Sequence, residues 1–328
     1  MQAVVTNASV TGCLELGEVA DPVADSNEAV IAVSAFSLNR GELRRAEAAP
    51  AGRQIGWDLV GVVKTAARNG SGPGEGRRVV GFSRRMLGWA QYVALPTTDF
   101  AVIPDAVSDN DAATLPVAGL TALYALERCE RLLGSRVLVT GASGGVGYFA
   151  CQLARLMGAR VTAQLRRPDF EDMVRATGVD EVVISAGGSG FAEHGKFRSI
   201  IDGVGGQALA KLLSQLDDSG RAILYGVSAG AEATLAVRDL MLTGDGRIEG
   251  FYLYRETEIE SAAKGLDRLL GLLADGRLTT HVPVTGNWEA IGETAARLIG
   301  RDFAGKAVLT TLYQSSQLLT LMAGFHEL

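Results

Sequence analysis

The sequence has few of the residues from which metal sites and disulfide frameworks are built. Its 328 residues include three cysteines and three histidines, and these form no C-x-x-C or H-x-x-x-H pair. A structural zinc ion needs a closely spaced set of such ligands, so we expect no zinc site. The scattered cysteines, Cys13, Cys129 and Cys151, also exclude a disulfide framework, and we expect them to be small, mostly buried side chains.

Long apolar runs and clusters of basic residues are also missing. The longest apolar stretches fall far short of the roughly 20 residues that a membrane span requires. The first ten residues, MQAVVTNASV, lack the basic and apolar segments of a secretory signal. A formal net charge of −6 gives no general attraction to a nucleic-acid backbone. We therefore expect a cytoplasmic protein that binds neither nucleic acid nor a membrane.

The composition is that of a globular protein, with 47% hydrophobic and 21% charged residues, and its length suits two domains. The first third contains short apolar runs between Asp, Asn, Gly and Pro, which is typical of a small β-barrel. From about Leu115 strands and helices alternate, which predicts a parallel sheet with crossover helices. We expect the domains to be residues 1–118 and 119–256, with residues 257–328 returning to the first.

Within this last segment we expect one long helix from about Thr257, containing EIESAAKGLDRLLGLLADG, and then the strands HVPVT and KAVLTT. The tail after Thr311 has apolar residues at helical spacing: Leu318, Leu321, Met322 and Phe325. This pattern favours a packed terminal helix over a simple appendage.

The strongest chemical signal is VLVTGASGGVG, Val137 to Gly147. A buried strand ends at Thr140, a glycine-rich turn follows, and a helix begins near Gly145. Glycine lets the backbone approach a pyrophosphate, and the N–H groups at the start of a helix can bind it. The strand–turn–helix context makes a dinucleotide-binding loop the preferred interpretation, although Ala142 stands where the usual motif has its first glycine.

The next strand, RVTAQL, indicates which dinucleotide would bind. Sites for NAD usually carry an acid at the end of this strand, whereas here Arg166 and Arg167 follow Leu165. Arginine binds phosphate through charge-assisted hydrogen bonds, so this pair suits the 2′-phosphate of NADPH. The alternative is that both are ordinary solvated residues. We predict NADPH as the cofactor.

Several further motifs resemble those of the medium-chain dehydrogenase/reductase superfamily, in particular its zinc-free quinone oxidoreductase branch. Besides LPVAGLTALYAL and TGASGGVG, the matching motifs are SLNRGEL, GWDLVGVV, GWAQYV, IIDGVGG, GRAILYG and GKAVL. The resemblance implies an α/β fold with a GroES-like β-barrel catalytic domain and a Rossmann doubly wound parallel sheet. It also implies a homodimer joined through Rossmann edge strands, here around RIEGFYLY.

The resemblance also indicates what this chain lacks. Zinc-dependent alcohol dehydrogenases of the superfamily hold their catalytic metal at positions that correspond here to Asn39, Trp57 and Val117. None of these side chains replaces a thiolate or imidazole ligand. The stretch between Phe82 and Gly88, where a structural zinc loop would lie, has no cysteine.

Carried over position by position, the resemblance places Asn39 and Thr121 beside the nicotinamide. The other implied cofactor contacts are Gly144, Gly145 and Val146 at the pyrophosphate, Ser185 at the adenosine phosphate, Asp202, Gly203 and Val204 at the ribose, Gly226, Val227 and Phe251 at the nicotinamide half, and Arg301 at cofactor or substrate.

Without a metal, a substrate carbonyl must be polarised by hydrogen bonds, which suits conjugate reduction of a quinone, enone or enoyl group. Candidate donors are Asn39, Arg40, Arg44 and water, and we take Asn39, Arg40 and Thr121 as catalytic candidates. Glu42 is expected to orient its loop, and Trp57 to line a cleft or pack in the core. The alternative functions are an NADPH-binding redox sensor or macromolecule-binding protein, and a metal-dependent alcohol dehydrogenase.

Overall fold

The computed structural model describes residues 1–311, which fold into two compact units. Of the described residues, unit 1 consists of Met1–Leu120 together with residues 257–311, and unit 2 is the continuous segment Thr121–Glu256. The chain therefore begins unit 1, builds unit 2, and returns to unit 1. We expected boundaries after residues 118 and 256, and the units divide after residues 120 and 256. The predicted terminal helix lies outside the described residues.

The secondary structure follows from two kinds of apolar periodicity, alternate residues in strands and every third or fourth residue in helices. The strands are β1 (Gln2–Thr6), β2 (Leu14–Glu18), β3 (Glu28–Ser37), β4 (Asp58–Thr65), β5 (Arg78–Phe82), β6 (Tyr92–Pro96), β7 (Phe100–Val102), β8 (Arg136–Val139), β9 (Arg160–Leu165), β10 (Glu181–Ile184), β11 (Phe197–Asp202), β12 (Leu216–Leu224), β13 (Arg247–Gly250), β14 (Val284–Asn287) and β15 (Ala307–Thr310). The helices are α1 (Arg40–Glu47), α2 (Asp109–Ala113), α3 (Leu120–Glu127), α4 (Gly145–Leu156), α5 (Glu171–Arg175), α6 (Gly206–Leu213), α7 (Val237–Met241), α8 (Leu253–Ile259), α9 (Ala262–Ala274) and α10 (Ile291–Gly300).

Unit 1 is built on a largely antiparallel sheet with strand order β14-β15-β3-β4-β5-β7, and β6 also pairs with β3. Strands β1 and β2 form a separate ribbon. Strand β3 lies between β15 and β4 and is antiparallel to both, with Ser37 opposite Val308 and Ala35 opposite Val60. The end of β3 therefore meets the beginnings of β15 and β4. This register brings together three sequence segments that are far apart in the chain.

The core of unit 1 contains two fully buried tryptophans, Trp89 and Trp288. The Trp89 ring stacks on Phe36 with 5.1 Å between ring centroids. Gly56 lies directly against Trp89, with a φ of +121°, and a Cβ at this position would come within 2.2 Å of the indole. The turn before β4 therefore requires glycine, because a side chain would meet both strain and a buried ring.

Unit 2 contains a parallel sheet with strand order β10-β9-β8-β11-β12-β13. In order of appearance these are the third, second, first, fourth, fifth and sixth strands of the unit. This is the doubly wound Rossmann order, in which the direction of winding reverses between β8 and β11. The predicted fold class, an antiparallel β domain plus a Rossmann sheet, is confirmed. Ligands of such sheets bind at the carboxyl ends of the strands near the reversal.

Two details of the sequence prediction were wrong. The expected long helix from about Thr257 is divided into α8 and α9, because Ser261 accepts a hydrogen bond from the Lys264 N–H and starts a new helix. The expected strand HVPVT begins later, at Val284. The preceding Pro283 has no N–H for a sheet hydrogen bond and disfavours an earlier start.

Candidate functional site

The glycine-rich turn of unit 2 connects β8 to α4 at the reversal of the sheet. Thr140 is buried, Gly141 has a φ of +60°, and α4 begins at Gly145. Gly144, at the N-cap of this helix, is exposed in an extended conformation. The first N–H groups of a helix have no carbonyl partner within it, so this turn has the donors that a pyrophosphate requires.

The third glycine of the motif, Gly147, leaves no room for a side chain. A Cβ at this position would come within 2.4 Å of the Gly141 carbonyl oxygen and 2.8 Å of the Ala142 Cα. The first turn of α4 therefore packs directly on the backbone of the loop. A Cβ at Gly144 would instead have its nearest neighbour at 3.4 Å, which is an ordinary contact.

Gln164, near the end of β9, holds the loop from the side. Its Oε1 accepts the Gly141 N–H at 2.9 Å, and its Nε2 donates to the carbonyl oxygen of Ser185. The side chain is 5% exposed, so both ends of the carboxamide are used inside the protein. Gln164 thereby ties the turn after β8 to the turn after β10, and it fixes the position of Ser185 relative to the glycine loop.

Asp202, at the end of β11, is fully buried and faces the protein. Its Oδ1 accepts the Thr140 hydroxyl at 2.7 Å and its Oδ2 accepts the Gly205 N–H at 2.8 Å. Burial raises the pKa of Asp202, while the bond from Thr140 opposes this shift. The carboxylate therefore joins the turns after β8 and β11. That Asp202 lies near a ribose, as the resemblance implied, stays a prediction.

The remaining predicted positions of unit 2 lie around these turns. Val204 packs near the glycine loop, 3.5 Å from where a Cβ on Gly141 would lie, and Gly226 approaches the backbone of Gly203 closely. Val227 is 46% exposed, and Phe251 lies beneath the Arg128 guanidinium at 5.4 Å. The turns after β8, β11 and β12 are thus adjacent.

Arg166 and Arg167 are exposed immediately after β9, the strand that neighbours β8. The Arg167 Nε lies 2.9 Å from Asp169 Oδ2, and its guanidinium also lies over Phe170. Part of its charge is therefore already balanced.

Asn39 lies in unit 1 where β3 ends, in contact with two buried charges. Its Nδ2 donates to Asp58 Oδ2 at 2.7 Å, and its Oδ1 accepts from Lys306 Nζ at 2.5 Å. Lys306 and Asp58 form an ion pair of 3.2 Å, with side chains 5% and 0% exposed. The pairing of β3 with β15 and β4 brings these residues together, since each lies at or beside a strand end.

A second carboxylate, Glu42, supports the same turn. Its two oxygens accept the backbone N–H groups of Asn39 at 2.7 Å and Trp57 at 2.6 Å. Burial, together with the nearby charge of Asp58, raises the pKa of Glu42 well above its ordinary value, against the opposing effect of Lys306. Glu42 therefore orients the loop, as expected from the sequence.

The three positions that correspond to zinc ligands in relatives, Asn39, Trp57 and Val117, lie together in unit 1. They surround the carboxylate of Asp58. Asp58 accepts the Val117 N–H at 2.9 Å and the Asn39 amide, and it directly follows Trp57. Within residues 1–311, no three His, Cys, Asp or Glu side chains are grouped as a metal site. An amide, an indole and an alkyl group do not fit the donor preferences of zinc.

The other predicted positions belong to both units. Arg40 begins α1 and is half-buried, and Arg301 ends α10 in a left-handed conformation; both belong to unit 1. Thr121 is buried in α3 as the first residue of unit 2.

Sequence reasoning missed Asp58, Lys306 and Gln164. The first two stand inside the motifs GWDLVGVV and GKAVL, so a charged residue in an apolar run was the available signal.

Comparison with known proteins finds one matching family model and several similar proteins. A family model described as "Zinc-binding dehydrogenase" matches residues 145–268, which include none of the positions 39, 57 and 117. The spectinabilin polyketide synthase system protein NorB of Streptomyces orinoci is 32% identical over 89% of this chain, and the chain spans 13% of that protein. Quinone oxidoreductase-like protein 2 of Bos taurus is 27% identical, over 78% of this chain and 75% of the relative.

Among solved structures, a mycobacterial protein complexed with NADPH has a TM-score of 0.82 at 21% identity, covering 94% of this chain and 100% of that one. The Rossmann sheet with its glycine loop and the antiparallel unit are therefore a fold that this chain shares with that protein. The chain is thus similar to the "Zinc-binding dehydrogenase" family over residues 145–268 and to a quinone oxidoreductase-like relative over most of its length. Across residues 1–311, helices are too short or too polar to cross a bilayer.

The contact between Gly147 and Gly141 leads to a prediction about the loop without ligand. Gly147→Ala should lower the free energy of unfolding by about 1–3 kcal/mol, because the new methyl group is forced against backbone. Gly144→Ala has room and an ordinary φ of −82°, so its stability should stay near that of the parent. Chemical denaturation of both variants without cofactor measures this, and equal stabilities would contradict it.

Proposed function

We propose that the protein is an NADPH-dependent reductase that transfers hydride to a quinone, enone or enoyl-type substrate without a metal. The observation that carries the proposal is the glycine loop at the reversal of the Rossmann sheet, with Arg166 and Arg167 directly after the neighbouring strand. The NADPH complex of a protein with the same fold and the quinone oxidoreductase-like relative support it. We place this reaction in the cytoplasm.

The residues of the loop have defined parts in this proposal. Gly144, Gly145 and Val146 would hold the pyrophosphate through backbone N–H groups. Gln164 and Asp202 would keep the turns in place. NADPH bound there would supply the hydride.

A site without a Lewis acid favours an acceptor that is already activated. Conjugation makes the β-carbon of an enone or quinone electrophilic, so positioning and a few hydrogen bonds provide much of the catalytic effect. Asn39 is the donor that we propose for the carbonyl oxygen. Oxidation of a simple alcohol would require stabilisation of an alkoxide, for which the chemistry of Asn39, Trp57 and Val117 offers no metal ligand set.

The arginine pair predicts a preference for NADPH. Changing Arg166 and Arg167 together to Ala should weaken NADPH binding at least about tenfold, since each charge-assisted hydrogen bond contributes roughly 1.5–3 kcal/mol. NADH binding should change little. Arg166→Ala alone should cost more than Arg167→Ala, because Asp169 already pairs with Arg167.

Arg160, exposed at the opposite end of β9, provides the matched control. Titrations of protein fluorescence with NADPH and NADH would compare Arg160→Ala with the double variant. Tighter binding of NADH by the parent, or an equal loss for both cofactors, would refute the preference.

The reaction class predicts NADPH oxidation with enones, quinones or enoyl thioesters, and no comparable NADP⁺ reduction with primary or secondary alcohols. EDTA and phenanthroline should leave the rate unchanged. NADPH binding without turnover of any acceptor would favour the redox sensor or macromolecule-binding alternative. Alcohol turnover that disappears with a stoichiometric metal would favour the metal-dependent dehydrogenase.

We also propose a homodimer formed through unit 2. Its edge strand β13 has a free side among the described strands, and an exposed apolar segment precedes it, with Val237, Met241 and Leu242 each about 70% exposed. An unpaired strand edge next to apolar surface favours pairing with a second copy.

The parent should therefore elute with the mass of two chains in size-exclusion chromatography with light scattering. Changing Met241 and Leu242 together to Lys should give one chain at micromolar concentration. Leu133, 85% exposed in the loop before β8, is the control, and Leu133→Lys should stay dimeric. A monomeric parent would exclude this assembly.

A further inference from the structure

Lys306 uses its full hydrogen-bonding capacity inside the protein. An ammonium group has three donors and no acceptor. Its three partners are Asn39 Oδ1 at 2.5 Å, the Leu38 carbonyl oxygen at 2.9 Å and Asp58 Oδ2 at 3.2 Å. The side chain is buried, so Lys306 has no proton left to donate to a substrate. Lys306 can therefore affect a substrate only through the groups to which it is hydrogen-bonded.

Asp58 is saturated in the same way. A carboxylate offers about four acceptor positions. Its Oδ2 accepts from the Ser37 hydroxyl at 2.5 Å, from Asn39 and from Lys306, and its Oδ1 accepts the Val117 N–H. With 0% exposure and four donors, it is not placed to act as a general base.

Of Lys306, Asp58 and Asn39, it is Asn39 that keeps an unused hydrogen-bond donor. The residue is half-buried, and one of its two Nδ2 hydrogens is used by Asp58. The hydrogen bonds among residues 1–311 leave the other hydrogen available. A rotated carboxamide would put its oxygen against the Asp58 carboxylate and its NH₂ against the Lys306 ammonium. Two repulsive contacts thus oppose the rotated form, and the buried charges select one orientation.

We propose that Lys306 and Asp58 are positioning residues that fix the Asn39 carboxamide, so that its second Nδ2–H is presented as a hydrogen-bond donor to the substrate carbonyl oxygen. This rests on the proposed reductase function. Neither charge touches the substrate. The ion pair gives an amide, which has two similar orientations in isolation, a defined donor direction before the substrate arrives.

The test compares the parent with Lys306→Met, Asp58→Asn and the double variant. Lys306→Met alone leaves a buried, unbalanced carboxylate and should lower the Tm strongly. The double variant has neutral side chains of similar volume, so its Tm should return towards that of the parent. The amide that replaces the Asp58 carboxylate keeps its oxygen towards the Val117 N–H and turns its NH₂ towards Asn39, so the parent orientation of the Asn39 carboxamide is no longer favoured.

For the double variant we therefore expect kcat with an enone or quinone to be reduced about tenfold or more, with the Kd for NADPH within twofold of the parent. The control is Arg78→Met with Asp109→Asn, which removes another ion pair of unit 1, of 2.6 Å, and should leave kcat unchanged. Recovery of both Tm and kcat in the double variant would show that the pair is merely structural and overturn the proposal.

A readout independent of turnover is the side-chain amide of Asn39 in selectively ¹⁵N-labelled protein, assigned with Asn39→Ser. The parent should give one pair of amide hydrogens, one of them protected from exchange by Asp58, and the double variant should lose this protection. Unchanged signals would contradict the positioning role. If the parent reduces no acceptor, the proposed function fails, while these signals still decide whether the ion pair orients Asn39.

Discussion

The buried carboxylate of Asp58 is the constraint around which unit 1 is organised. It accepts hydrogen bonds from the end of β3, from the backbone at Val117 and from Lys306 of the returning segment. An ionised group with no exposure is tolerated only when donors replace its lost hydration. The need to satisfy this one charge therefore ties together three parts of the chain that are separated by many residues.

The same constraint changes how the superfamily resemblance is understood in this chain. Asn39, Trp57 and Val117 correspond to metal-ligand positions in zinc-dependent relatives, and here they surround an ion pair. Lys306 brings a cation to this region, yet all its donors are used, so it does not substitute for a Lewis acid. What the cluster offers is an oriented amide, and this is a weaker polarising group that suits an acceptor activated by its own conjugation.

In unit 2 the corresponding organisation depends on backbone geometry and on polar side chains that join adjacent turns. Gly147 allows α4 to pack on the loop, Gln164 holds Gly141, and Asp202 holds Thr140. None of these side chains needs to touch a ligand to affect binding. The turns at the reversal of the sheet are held in place before any dinucleotide is bound, which lowers the entropy cost of binding.

The sequence by itself determined the alternation of strands and helices in unit 2, the glycine loop and the two-domain organisation, because these follow from local periodicity and from residues with special backbone freedom. The resemblance also led us to expect that Glu42 orients its loop. Tertiary structure decided what Asn39 contacts. Lys306 is 267 residues from Asn39, and only the register of β15 on β3 brings the two together. The inward direction of Asp202 was likewise set by neighbouring turns, whose donors no local pattern in the chain specifies.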